Sequence, residues 1–278
     1  MKLFLAAEQV AEVTKAAEKA AETTKQSPTF WETVAENAVY LLVFFGIIVA
    51  MFVIAFVLEK VFTKKDAASG KEKFFTTKKM AVIGVLSAMA AVLMVLDFPI
   101  PFIPGSIYKF DFSELPVMIG AFAYGPATGV VMEFMKILIK LLIKGTSTAF
   151  IGELANFVVG CSFIIPAAVI YFNNKTKKRA IIACVVATVS ITVFSMIFNW
   201  LYLIPAFIKF FTDQGRTTTM ADIVKLGTKA NSMISDETTF ILLATGPFNL
   251  LKGVAVSIVT MLVYKPLSRF IKSKGQNN

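Results

Sequence analysis

The chain has 278 residues, 56% of them hydrophobic, with 27 Phe, two Cys and no His. That balance excludes an ordinary soluble domain. The net charge of +10 sits in short basic clusters between apolar runs, a pattern that sets membrane orientation and not the continuous basic stripe of a nucleic-acid-binding protein.

Residues 1–36 are polar and alanine-rich, an extracellular segment that is either an interfacial helix or a solvated tail. Residues 37–62 contain the uncharged run Ala38–Leu58, long enough to cross a bilayer of about 30 Å. Glu59 to Lys79 carries seven lysines against three acids, so residues 63–78 are assigned as a cytoplasmic basic linker. Met80–Leu96 is the next apolar helix. The sequence DFPIPFIPGSIYKF, residues 97–110, is an outside loop stiffened by prolines and too apolar for a plain linker. Asp111, Ser113 and Glu114 then open a short helix as caps, with Pro116 in its first turn.

Leu115–Ala123 and Ala127–Ile143 form a pair broken at Gly125-Pro126, and Phe150–Phe172 follows. Ile181–Ile208 carries Trp200 and Tyr202 near its end, residues 209–238 read as a polar loop, and Phe240–Tyr264 is broken at Gly246-Pro247. Placing the basic linker, the turn 173–179 and the tail 271–278 in the cytoplasm requires the 115–143 region to cross twice. The N-terminus is then outside and the C-terminus cytoplasmic. The reading is an all-α membrane protein with six helices in residues 79–270 and one additional N-terminal transmembrane helix.

Polar residues recur inside these spans at helical spacing. Glu133, Lys136 and Lys140 share one face, and Glu153 and Asn156 another. Glu133 and Lys136 can pair and cross-link to Glu153 as structural glue; alternatively the three form an ion relay. Asn249 and Lys252 share a face with no acid near them in sequence, and Asn199 lies on the preceding helix at the same end. An amide offers a donor beside an acceptor, the complement of a heterocycle edge with N–H next to C=O, and a lysine adds a charge-assisted donor. These residues read as ligand contacts in preference to the alternative of structural glue. Cys161 and Cys184 lie in apolar runs, without His or paired cysteines a zinc site or a disulfide framework has no ligands to build from, and no phosphate-binding G-x-x-x-x-G-K-[ST] occurs. Any ATP used in transport is therefore bound by another polypeptide.

The pieces K-x-D-x-S-E-x-P, Y-G-P-x-x-G-V, E-x-x-K, G-T-S-T-x-x-x-G-E-L-A-N-F and N-x-x-K, within about residues 78–270, together resemble the riboflavin-binding S component of energy-coupling factor (ECF) transporters of Gram-positive bacteria. The resemblance implies a six-helix membrane protein, not an enzyme, that binds riboflavin with high affinity near the outer face under the 97–110 loop. Riboflavin would be the transported ligand, with no cofactor. It implies a transmembrane coupling protein and two cytoplasmic ATPases as partners within the lipid bilayer, and no nucleic acid. Carried over by motif, Asn249 and Lys252 contact flavin, Asn199 matches a ligand asparagine, and Asn156 lies in the G-E-L-A-N-F motif; Tyr108 and Phe110 could pack on the flavin ring. Gly84, Ser87, Ala88 and Ala91 match the small residues that dock the coupling protein. Two features depart from the pattern: Ile137 follows the lysine of E-x-x-K where asparagine is frequent, and residues 1–77 lie outside it. Two alternatives stay open: an S component for thiamine, folate or pantothenate, and an ion-coupled secondary transporter, which should show paired broken helices in repeats.

Overall fold

The computed structural model describes residues 38–62, 76–100, 108–215 and 218–272. The polar segment 1–36, most of the linker 63–78, the loop tip 101–107 and the tail beyond residue 272 lie outside the described residues. The chain divides into two compact units, residues 1–47 and 48–278. Of the first, the described part is the opening of helix α1.

The described residues are almost wholly helical. α1 is Ala38–Phe62 and α2 is Thr77–Val95. A two-stranded antiparallel hairpin follows, β1 (Phe98–Pro99) with β2 (Lys109–Phe110), Phe98 facing Phe110 in register. α3 is Glu114–Tyr124, α4 is Pro126–Lys144 and α5 is Ile151–Phe172. α6 runs from Lys177 to Asp213 without a break, with a π-helical turn at Asn199–Leu203. α7 is Met220–Ala230. α8 begins at Glu237, passes a π-helical turn at Ile241–Thr245 and continues as Gly246–Lys272. α5, α6 and α8 are each long and apolar enough to cross a bilayer.

Local chemistry sets the boundaries. Thr76 and Thr176 cap α2 and α6, each hydroxyl accepting the N–H three residues on at 3.3 Å. Capping boxes open α7 (Thr219, Asp222) and α8 (Asp236, Thr239). Gly125, at φ +97°, ends α3 and turns the chain into α4, whose first residue is Pro126. The Gly246-Pro247 pair does not break α8, because the π turn just before it lets the helix continue.

The core is a seam of aromatic and small side chains. Val117, Met118, Ala121 and Phe122 of α3 are fully buried against Phe163, Ile164 and Tyr171 of α5. Phe122 stacks on Tyr171 with centroids 4.2 Å apart. Ala167 and Ala168 of α5 meet Ala180, Ala183 and Ala187 of α6, which lets two backbones approach closely where lipid supplies no hydrophobic drive. A second cluster at the hairpin end gathers Tyr108, Phe110, Ile204, Ile234, Phe240 and Phe248.

One expectation needs correction. Residues 209–238 are not a plain loop: α6 extends to Asp213, and α7 lays Ile223 and Val224 on the second cluster. Gly227 permits this close approach, since a Cβ there would stand 2.8 Å from Ile234 Cγ2. α3 is short: its 11 residues, at about 1.5 Å each, span about half of the hydrocarbon layer, and Glu114, Pro116 and Val117 of its first turn are buried.

The α3–α4 hairpin closes on Gly129, where a Cβ would stand 2.9 Å from Ala121 Cβ and 2.5 Å from Ile164 Cγ2. Gly129→Val is therefore expected to destabilise by about 1–3 kcal/mol through overpacking, read as a lower midpoint in thermal unfolding of the detergent-purified protein. An unchanged midpoint would contradict this packing.

Candidate functional site

A cavity of about 1220 Å³ opens among the ends of α2, α4 and α5, the β-hairpin, the π turn of α6, α7 and α8. It exceeds the roughly 300–1,000 Å³ of ordinary small-molecule pockets. Asn156, Asn199, Asn249, Lys252 and Tyr108 all line it. Phe110 does not. It turns into the apolar cluster, 5.3 Å from the Phe98 ring and 5.1 Å from Phe112.

The three amides differ in what they leave free. Asn199 opens the π turn of α6; its Nδ2 donates to the Ser195 carbonyl at 2.7 Å and its Oδ1 accepts from the Tyr108 hydroxyl at 2.8 Å. The Tyr108 hydroxyl also lies 2.6 Å from Thr245 Oγ1, and its ring stacks on Phe248 at 5.0 Å. Tyr108 thus bolts the hairpin to α6 and α8. Asn249 donates Nδ2 to the Thr245 carbonyl at 3.0 Å, and no described residue donates to its Oδ1. Asn156 donates Nδ2 to the Gly152 carbonyl at 2.8 Å and is half-buried.

Lys252, one turn beyond Asn249, has acids far away in sequence. Its Nζ lies 3.1 Å from Asp111 Oδ2 and 4.0 Å from Glu114 Oε1. Behind it, Lys136 Nζ donates to Glu114 Oε1 at 2.9 Å and lies 2.5 Å from Glu133 Oε2, without hydrogen-bond alignment to the latter. None of these five side chains belongs to a residue more than 6% exposed. Three carboxylates share two ammonium groups in a continuous chain across the start of α3, α4 and α8. Gly160 makes room for it, since a Cβ there would stand 2.6 Å from Glu133 Oε2.

The reading of Asp111 and Glu114 as caps is therefore corrected in part. Asp111 Oδ1 does accept the Ser113 N–H at 2.8 Å, but its other oxygen holds Lys252, and Glu114 serves the ion chain. Ser113 makes no side-chain cap. The signal available in the sequence was Lys252 itself, because an intramembrane ammonium needs a partner and α8 from Gly246 onward carries no acid.

The expected cross-link of Glu133 and Lys136 to Glu153 is also corrected. Glu153 belongs to a separate group. Lys140 Nζ donates to its Oε1 at 2.5 Å, and the Thr146 and Thr148 hydroxyls donate to its Oε2 at 2.9 and 3.3 Å. The turn that gathers these hydroxyls places Ala149 and Phe150 at φ +44° and +68°, a conformation uncommon outside glycine. Near the cavity mouth, Lys109 and Lys144 share Asp97 at 3.4 Å each. On α7, hydrogen bonds from the Thr219 hydroxyl and backbone N–H hold the exposed Asp222 carboxyl below its ordinary range.

On α2 the four small residues split. Gly84 and Ala88 are exposed, whereas Ser87 and Ala91 are fully buried against the bundle. An outward surface of small residues is therefore limited to Gly84 and Ala88 among these four.

The profile of the family described as "ECF transporter, substrate-specific component" matches residues 78–264. The riboflavin transporter RibU of Staphylococcus aureus (strain TCH60) is 33% identical over 197 residues, covering 70% of this chain and 93% of the relative. The riboflavin transporter FmnP of Bacillus subtilis (strain 168) is 29% identical over 200 residues, covering 71% and 95%. Among solved structures, the S component of a bacterial ECF transporter aligns with a TM-score of 0.53 and 30% identity, over 70% of this chain and 98% of that one.

Replacing Lys136 by Met would leave two buried carboxylates facing each other. We expect a loss of about 3–5 kcal/mol, the cost of breaking a buried pair from one side. Lys225→Met, at the exposed Asp222–Lys225 pair, is expected to cost at most about 1 kcal/mol. Thermal unfolding of the two variants side by side checks this ordering, and equal midpoints would contradict it.

Proposed function

Because the chain belongs to the substrate-specific components of ECF transporters, we propose that its cavity binds riboflavin for uptake and that the protein is a vitamin-binding subunit, not an enzyme. The observation that carries this reading is the pairing of Asn249 and Lys252 on one face of α8, both lining the cavity, with the Asn249 carbonyl oxygen unused by the described residues. An imide edge alternates C=O, N–H and C=O. An amide can accept its N–H and donate to a neighbouring carbonyl, and the ammonium can donate to a carbonyl as well. Relatives named as riboflavin transporters, matched over most of their own length, supply the same ligand class.

Asn199 and Tyr108 frame the site through the hydrogen bonds they already make, and Asn156, which also lines the cavity, would meet the polyhydroxyl chain. Phe110 supports the hairpin from behind. The paired strands β1 and β2 would cover the ligand from the outer side.

The lysine distribution supports an N-terminus outside and a C-terminus in the cytoplasm. On the coupling side, a transmembrane protein would approach α2 at Gly84 and Ala88, and two ATPases would drive release. The relay reading loses its basis, because Glu153 has Lys140 and two threonines as partners and does not join the Glu133–Lys136 pair. The protein itself is a multi-pass membrane protein.

Purified protein titrated into riboflavin is expected to quench flavin fluorescence at a one-to-one ratio. Asn249→Ala and Lys252→Ala are each expected to weaken binding by about 1–3 kcal/mol, roughly 5- to 150-fold. Unquenched riboflavin would overturn the ligand assignment; wild-type affinity in both variants would remove these residues from the site.

A further inference from the structure

The family match begins at residue 78, so α1 needs its own explanation. From residue 48 onward it has one inward face. Ile48 and Ala55 are buried and Met51, Phe52, Leu58 and Glu59 are half-buried, whereas Val49, Val53, Phe56 and Val57 are exposed. The Phe52 ring meets Phe134 of α4 edge-on at 6.0 Å.

The polar end of this face is more specific. α4 starts Gly125-Pro126-Ala127, with no side chain of its own to cap it. Pro126 has no N–H, so Ala127 carries the first free donor of the helix. That N–H donates to Glu59 Oε2 at 2.9 Å. The carboxylate also sits at the positive end of the α4 dipole. Gly125 leaves space for it, since a Cβ there would stand 3.0 Å from Glu59 Oε2. Thus one glycine serves the turn through its positive φ and the docking through its missing side chain.

We propose that residues 48–62 are a built-in seventh helix of the transport core, held there because Glu59 supplies the cap that α4 lacks. The helix is more than a tethered anchor and moves with the core. It leaves the coupling surface open, because Gly84 and Ala88 remain exposed with α1 in place. The proposal does not depend on the identity of the ligand.

The test uses the full chain with a protease site placed within residues 63–75. After purification in mild detergent and cleavage, the N-terminal fragment is expected to co-elute with the core in size-exclusion chromatography. Glu59→Ala and Gly125→Ala should each lose the fragment from that peak, and Glu59→Gln, which keeps an acceptor oxygen, should retain it. Release of the fragment from the wild-type core, or wild-type retention in Glu59→Ala, would overturn the proposal. Riboflavin quenching by the cleaved wild-type core reports separately on the ligand assignment.

Discussion

The architecture depends on one chain of buried charges, Asp111 and Lys252 at the cavity, then Glu114, Lys136 and Glu133 behind them. Ionised side chains inside a bilayer are costly unless paired. Here the pairing joins the start of α3 to α4 and α8. It also explains the half-length α3. The helix begins where its acids can reach the lysines, and Asp111, just before it, lines the cavity. The cavity floor is thus charged and fixed, while its walls carry amides and aromatic rings.

The second organising feature is the pair of π turns. A π turn rotates the side chains that follow it and recurs at functional sites. In α6 it begins at Asn199; in α8 it ends at Thr245, one turn before Asn249. Tyr108 hydrogen-bonds to both Asn199 and Thr245. The hairpin over the cavity and the two helices beneath it are therefore one hydrogen-bonded assembly, and Asn249 Oδ1 is a group that assembly leaves available.

Much of this was legible in the sequence because membrane helices write themselves as long apolar runs. The break at Gly125-Pro126 and the Asn249–Lys252 face were visible for the same reason: a polar residue is conspicuous in an apolar background. The partnership of Lys252 with Asp111 was not, because the two are 141 residues apart and an acid at a helix start reads equally well as a cap. α7 was hidden by its polar composition and by Gly227, which breaks helical propensity but is needed for close approach. The split of Gly84 and Ala88 from Ser87 and Ala91 was also hidden, since spacing identifies a stripe but not which edge of it meets the bundle.

The central claim is that Asp111 holds Lys252 in place at the cavity floor. A double-mutant cycle on riboflavin affinity with Asp111→Asn, Lys252→Met and the pair tests it most directly. The account predicts non-additive losses, with a coupling of about 0.5–3 kcal/mol between the two sites. Losses that add to within about 0.3–0.5 kcal/mol would mean that the two residues act independently and would contradict it.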